Sequence, residues 1–415
     1  MSLPYREVEL EKDGSVHDGA QVDAVLAMLD DERATDVLVM IHGWNNDMPA
    51  ARRMYDALAD SVDAARPRVP SARGRRITVV GVLWPSIQWA EEVAGGGAGL
   101  ADEETRLRAD IADRVEDTDA AAELEALVPR LEHDPAARRE YLRVLQGLLP
   151  PADLVDDDDA VPRVLRDRTA DPEEAFDLAG SATDLENAPP MTGGAAGFSL
   201  SGFLDGARKL LNTVTYYTMK ARAGTVGTEG VASLLETIAT ETGRRGQDVR
   251  LHLVGHSFGA RVASSAVAAT QATVHSVSLL QGAFSHYGFS EDWDGSGGRG
   301  LFQAVPARLA GPVLVTHTKN DTAIGLAYAV ASRLANQVAA GLGDSGDIYG
   351  GIGRNGALKT QAADGRARTL GAVGVEYDLA PRTITNLRSD EFIADHSAVT
   401  GREVGYAVLC AVTAG

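Results

Sequence analysis

Cysteine and basic residues are both scarce in this sequence. Cys410 is the only cysteine in 415 residues, so no intramolecular disulfide can form and nothing indicates an oxidising compartment. We expect this thiol to serve packing. Lysine and arginine total 39 against 59 acidic residues, which gives a formal net charge of −20. That charge disfavours polyanions and anionic lipid surfaces as partners, so we predict no nucleic-acid binding.

Long apolar runs are lacking as well. No apolar segment is long enough to cross a bilayer. Residues 1–14 alternate charged with apolar residues and lack the continuous apolar core of a secretory signal. We therefore expect no membrane insertion and a cytoplasmic location. Apolar residues still make up 44% of the chain, enough for a sizeable core in two domains, or in one domain with a large insertion.

The most informative feature that is present is the pattern Gly255-x-Ser257-x-Gly259. It follows an apolar segment at 249–254 and precedes a stretch of small residues that can pack closely on a sheet. This is the pattern of a nucleophile elbow, in which a serine occupies a sharp strand-to-helix turn and only glycine fits beside it. We predict Ser257 as a nucleophile. The alternative is a serine in a tight turn of some other α/β protein.

Apolar segments alternate with helix-prone segments along much of the chain. We predict strands at 36–41, 77–84, 249–254, 274–280, 313–317 and 372–377, with helices at 49–62, 322–340 and 402–412. Short strands alternating with helices favour a mostly parallel sheet with helices on both faces.

Residues 88–221 interrupt this alternation. We predict a large inserted, mainly helical and acidic cap there, with core segments at 1–87 and 222–415. Helices are expected at 102–116, 120–131 and 135–149. The acidic run at 156–159 lacks the spacing of a calcium loop, so we interpret it as a solvated loop and predict no metal. The apolar stretch 198–219 is either a helix face packed on the core or part of a pocket wall.

A serine nucleophile needs donors for the oxyanion that forms on its substrate. The segment Ile41-His42-Gly43-Trp44 follows the first buried strand, where a loop can aim a backbone N–H at the attacked carbonyl. We predict the N–H groups of Trp44 and Phe258 as the oxyanion hole. The alternative is a His-Gly turn that merely ends the strand.

The acid and the base are predicted from chain order. Asp321 follows the strand at 313–317, and of nine histidines only His396 lies beyond it. The order Ser, Asp, His predicts Asp321 as the orienting acid and His396 as the general base. Asp321 has an alternative role as a helix cap. His256 and His286 compete as bases; we expect His256 to point into the fold and leave His286 a possible substrate contact.

Two other patterns lack the context that their functions need. Residues 351–356 match Gly-x-Gly-x-x-Gly without a preceding strand or a following acidic partner. We interpret them as a flexible loop and not as a nucleotide site. Residues 292–295 resemble only the beginning of a calcium loop. No metal or organic cofactor is therefore predicted.

With these residues assembled, the chain resembles the α/β-hydrolase superfamily over about residues 36–86 and 215–400. The segments Ile41-His42-Gly43-Trp44-Asn45-Asn46 and Leu83-Trp84-Pro85-Ser86, with Tyr217 and Arg222 ahead of the elbow, are similar to those of a group of bacterial α/β-hydrolases of unknown function. The resemblance implies an α/β-hydrolase fold and a Ser257, His396 and Asp321 triad with Trp44 and Phe258 as oxyanion donors.

These residues together predict a serine hydrolase, carboxylesterase- or lipase-like, that cleaves an ester, thioester or amide of a small-molecule acyl substrate through an acyl-enzyme. Two alternatives stay open. One is an acyltransferase using the same triad, and the other is a non-catalytic interaction protein on a hydrolase scaffold. The residues leave the oligomeric state open.

Overall fold

The strands pair as the alternation of strands and helices predicts. The computed structural model describes residues 2–44, 47–86, 100–151, 161–180, 202–322 and 350–414. Within them, one eight-stranded sheet has the order β1-β3-β2-β4-β5-β6-β8-β7, and every pair of neighbours is parallel. The strands are β1 Tyr5–Glu9, β2 Asp36–Ile41, β3 Ile77–Leu83, β4 Arg250–His256, β5 Val274–Leu280, β6 Val313–His317, β7 Ala367–Thr369 and β8 Ile384–Arg388.

The central strands are mainly apolar because both faces of the sheet are covered. In β2, Val37, Val39 and Ile41 belong to one hydrophobic cluster, whereas Leu38 and Met40 belong to the cluster on the opposite face. Successive side chains of a strand point to opposite faces, so a continuous apolar run fills two cores at once. The predicted α/β class with helices on both faces is thereby confirmed.

Each face is covered by its own set of helices. Helices α2 and α13 pack on one face, and α1, α8, α9 and α10 pack on the other. The helices are α1 Gly19–Asp31, α2 Met48–Ala65, α3 Leu100–Arg114, α4 Thr118–Leu127, α5 Pro135–Gly147, α6 Arg163–Arg166, α7 Pro172–Gly180, α8 Gly202–Thr225, α9 Ala232–Arg244, α10 Phe258–Ala269, α11 Val305–Arg308, α12 Ile352–Asn355 and α13 Arg402–Thr413. Among the described helices, none combines the length and apolar character that a bilayer span requires.

The regular secondary structure described between β3 and β4 is all helical, from α3 to α9. Its buried residues Leu107, Tyr141 and Phe176 belong to the same hydrophobic cluster as one face of the sheet. The boundary predicted after residue 221 falls inside α8, and the domain division stays a prediction. The apolar face of α8 is packed, since Leu210 and Val214 are buried in that same cluster. The acidic run at 156–159 and nearly all of the helix predicted at 322–340 lie outside the described residues.

The strand predicted at 372–377 is wrong. Gly374 adopts a φ of +106°, and the N–H of Val375 donates to the carbonyl of Ala372 at 3.1 Å, so the segment turns instead of extending. The last strands are β7 and β8. The structure also adds β1, whose largely incomplete burial fits its place at the edge of the sheet.

Candidate active site

Ser257 occupies a strained turn between β4 and α10. Its φ and ψ are 56° and −124°, a region that L-residues other than glycine rarely enter. The turn requires glycine at position 259, because a Cβ there would lie only 2.2 Å from the carbonyl oxygen of Ile41, at the end of β2. The N–H of Ser257 donates to the carbonyl of Leu280 at 3.1 Å, which ties the turn to β5. The local geometry is that of the predicted elbow.

The loop that follows β2 packs directly on this serine. A Cβ on Gly43 would lie 2.4 Å from Ser257 Cβ and 3.0 Å from Ser257 Oγ. Only glycine therefore lets the backbone at residues 43 and 44 approach the hydroxyl so closely. Phe258 is the first residue of α10, and first-turn N–H groups have no partner within their own helix. The structure thus brings the loop of Trp44 and the N–H of Phe258 to the same serine, as an oxyanion hole would require.

His42 and Trp84 hold this loop in place. The Trp84 N–H donates to His42 Nε2 at 3.2 Å, and Trp84 Nε1 donates to the His42 carbonyl at 2.9 Å. The two rings stack with centroids 5.7 Å apart. Burial lowers the pKa of His42 to about 4, so the ring is neutral near pH 7 and its Nε2 can accept. Trp84 of the Trp-Pro-Ser segment after β3 therefore fixes the loop that follows β2, a role that the sequence alone does not indicate.

The predicted acid and base are in direct contact. His396 Nδ1 lies 2.8 Å from Asp321 Oδ2, a distance typical of a charge-assisted hydrogen bond. Asp321 is fully buried, while the His396 side chain is 20% exposed. Because Nδ1 faces the carboxylate, Nε2 is left to accept a proton. The pair is separated by 75 positions in the chain, and the adjacency of β6 and β8 brings it together.

The loops that carry this pair are fastened to each other by residues that the sequence did not indicate. Asn320 Nδ2 donates to the carbonyls of Asp390 and Ile393, at 2.9 Å each. Asp390 Oδ1 accepts from Thr318 Oγ1 at 2.8 Å. Only one feature of the sequence indicates that these loops lie close together: both follow apolar strands, and the carboxyl ends of parallel neighbours lie at one edge of a sheet.

His256 is not placed to act as the base. Burial, with the nearby His396 imidazole, lowers its pKa to about 3. Its Nε2 donates to the carbonyl oxygen of His396 at 2.9 Å. The side chain thus connects the end of β4 to the loop of the predicted base. His286, the other competitor, is fully buried and lies 3.0 Å from the Asn355 amide through Nδ1.

His256 links the two regions at this sheet edge. It precedes Ser257 in the chain, and its ring centroid lies 4.9 Å from that of His396. Among the described residues, no hydrogen bond joins Ser257 Oγ to the His396 imidazole. Such bonds are often long in the absence of substrate and tighten when it binds.

The glycine-rich segment at 351–356 is an ordered part of this region. It contains the short helix α12, and Gly351 forms an isolated bridge with Ser285. The interpretation as a flexible loop is therefore wrong, because contacts with the residues after β5 hold the segment. In the part of the chain that the structure describes, no three His, Cys, Asp or Glu side chains cluster as metal ligands would.

A second group of Asp, His and Ser lies in the same sheet, near the amino-terminal ends of the strands. His252 Nε2 lies 3.2 Å from Asp36 Oδ1, and its Nδ1 lies 2.8 Å from Ser276 Oγ. All three residues are at most 1% exposed. Ser276 lies inside β5, where both faces of the sheet are covered, so this group is a packed polar network. Ser257 is 4% exposed and lies in the turn that follows β4. The buried group offers a matched control for Ser257.

No family model, curated protein or solved structure matches this chain.

Proposed function

We propose that this protein is a serine hydrolase of the α/β-hydrolase superfamily, esterase-like, with Ser257 as nucleophile, His396 as general base and Asp321 as the orienting acid. Trp44 and Phe258 supply the oxyanion donors. The inserted helices between β3 and β4 form the cap over this site.

The hydrogen bond of 2.8 Å between His396 and a buried Asp321 carries the proposal. An imidazole held by a buried carboxylate is common to many structural settings. Here it lies at the same sheet edge as a serine with left-handed backbone angles, and a backbone loop is packed on the hydroxyl of that serine. This combination favours nucleophilic catalysis over a structural ion pair.

The proposed reaction has two halves. His396 Nε2 takes the Ser257 hydroxyl proton as Oγ attacks the acyl carbon, and the carbonyl oxygen, now negatively charged, accepts from the two backbone N–H groups. His396 then gives the proton to the leaving alcohol, thiol or amine as its bond to carbon breaks. Water attacks the acyl-enzyme in the second half, His396 takes its proton, and Ser257 regains it as the acid product leaves.

The net charge of −20 favours neutral or cationic substrates over anionic ones, because a strongly negative surface repels anions at long range. We therefore propose a small-molecule ester, thioester or amide that carries no negative charge near the scissile bond.

Covalent labelling with a fluorophosphonate probe tests the assignment. Wild-type protein and Ser276→Ala should be labelled, and Ser257→Ala should not, because Ser276 has similar neighbours but no access to solvent. Turnover of a short p-nitrophenyl ester should follow the same order. Labelling of Ser257→Ala at the wild-type rate would refute the nucleophile assignment. A wild-type protein inert to the probe and to the ester would favour a non-catalytic interaction protein.

A further inference from the structure

Gln281 has an unusual backbone conformation beside the proposed acid. It is the first residue after β5, is fully buried, and has a φ of +46°. A glutamine in the left-handed region is held there by its surroundings, and such strain is concentrated at functional sites. Its own N–H donates to Thr316 Oγ1 at 3.3 Å, in the neighbouring strand β6.

The Gln281 amide group reaches the carboxylate of the proposed triad. Its Nε2 lies 2.8 Å from the carbonyl oxygen of Gly353 and 3.3 Å from Asp321 Oδ2. That same Oδ2 is the atom that His396 Nδ1 contacts at 2.8 Å. Both partners of Nε2 are acceptors only, so chemistry requires the NH₂ group, and not the oxygen, on this side.

The other end of the amide supports the same interpretation. Gln281 Oε1 is buried and has no hydrogen-bond partner among the described residues. An unsatisfied buried oxygen is costly and needs an explanation. The two hydrogen bonds that Nε2 donates therefore account for the position of this side chain.

The glycine-rich segment supplies the second anchor for this amide. A Cβ on Gly353 would lie 2.5 Å from the carbonyl carbon of Gln281, so glycine is needed for its carbonyl to come within reach of Nε2. The N–H of Gly353 also donates to the carbonyl of Gly282 at 3.0 Å. The segment that matched a nucleotide-binding pattern thereby braces Gln281.

We infer that Gln281 is a positioning residue that holds Asp321 Oδ2 toward His396. The inference rests on the proposed hydrolase function. The NH₂ group, bonded to both Gly353 and Asp321, restrains the rotation of the carboxylate about its Cβ–Cγ bond. Removal of the donor loosens this restraint, so the imidazole that Oδ2 contacts is held less firmly. Substrate binding does not involve this contact, so the effect belongs to kcat and not to KM.

Gln281→Met tests the inference, because methionine is similar in length and has no donor. Its kcat on a short p-nitrophenyl ester should fall at least tenfold with KM within twofold of wild type. Gln247→Met is the matched control: Gln247 also donates from Nε2 to an aspartate, Asp30 Oδ1 at 2.8 Å, and also has a buried Oε1 without a partner. That variant should keep the wild-type kcat.

Proton NMR gives a second readout that a merely structural role would not change. The proton between His396 Nδ1 and Asp321 should resonate far downfield in wild type and in Gln247→Met, and should shift or broaden in Gln281→Met. Gln281→Glu replaces the donor with an acceptor of the same shape, and the same loss of kcat is expected if Gln281→Met fails to fold.

Wild-type kcat with an unchanged downfield signal in a folded Gln281 variant would overturn the inference alone. Absence of probe labelling and turnover in the wild-type protein would overturn the proposed function, and this inference with it.

Discussion

His256 donates from Nε2 to the main-chain carbonyl oxygen of His396 across 2.9 Å. The residue next to the proposed nucleophile therefore supports the loop of the proposed base. Nothing in the spacing of 140 positions between the two indicates this contact. The contact gives His256 a supporting role, in agreement with the expectation that its side chain points into the fold, and leaves His396 as the proposed base.

His256→Phe should lower kcat about tenfold, the effect of one hydrogen bond of about 1.4 kcal/mol, because the base loop loses its anchor. His256→Gln keeps a donor near the position of Nε2 and should retain more activity. Steady-state kinetics on a short p-nitrophenyl ester, with a thermal melt of each variant, measures this. Complete loss of turnover in a folded His256→Gln would instead identify His256 as the base.

Gly43→Ala should abolish most of the activity while the protein still folds. The new Cβ would lie 2.4 Å from Ser257 Cβ and 2.9 Å from the His256 carbonyl oxygen, so the loop must retreat from the hydroxyl. Misplacement of about 1 Å can cost about a hundredfold in rate. Gly243→Ala, in α9, is the control, since a Cβ there meets no atom within 4 Å. Equal rates of probe labelling in the two variants would contradict the oxyanion-loop assignment.

Stability should fall as the pH drops below about 6.5. Burial lowers the pKa of His42 to about 4 and, with the nearby His396, that of His256 to about 3. The unfolded chain binds these protons first, so each ring contributes stability that is present above the unfolded pKa and lost as the pH falls toward the folded one. Between pH 7.5 and pH 5 the two rings together should cost about 4 kcal/mol.

Urea denaturation at pH 7.5 and pH 5 measures the loss, to which His275 and His317 also contribute because burial lowers the pKa of each to about 4. His256→Gln should reduce the loss by about 2 kcal/mol. The same free energy of unfolding at both values of pH would show that the two rings are not held neutral in the fold.

Asp36→Ala should destabilise the protein without changing the chemistry of the site. Arg75 Nη1 lies 2.6 Å and His252 Nε2 3.2 Å from Asp36 Oδ1, and removal of one partner of a buried ionic network costs about 3 to 5 kcal/mol. Glu123→Gln, which breaks the exposed contact with Arg143, should cost less than about 1 kcal/mol. Denaturation curves measure both losses. Reduced probe labelling per folded molecule of Asp36→Ala would connect this network to the site, contrary to our expectation.

The extent of prediction differed between the fold and the site. Buried strands such as β2 and β3 were evident as apolar runs, and the elbow was evident from its glycines. Chain order singled out Asp321 and His396 among the acids and histidines. The apolar residues at 372–377 predict a strand, but Gly374 adopts a positive φ that turns the chain there. Gln281 and Asn320 had no signal, because their function depends on partners far away in the chain.

The sequence by itself determined the parallel α/β layers and the turn at Ser257, since both follow from short-range rules: the alternation of apolar segments and the steric freedom of glycine. Only the tertiary structure decided which Asp, His and Ser side chains come together. The described residues contain two such sets, Asp321 and His396 at the same carboxyl edge of the sheet as Ser257, and Asp36, His252 and Ser276 near the opposite edge. Strand direction and burial, which no local pattern encodes, leave His396 of the first set partly exposed and bury the whole of the second set.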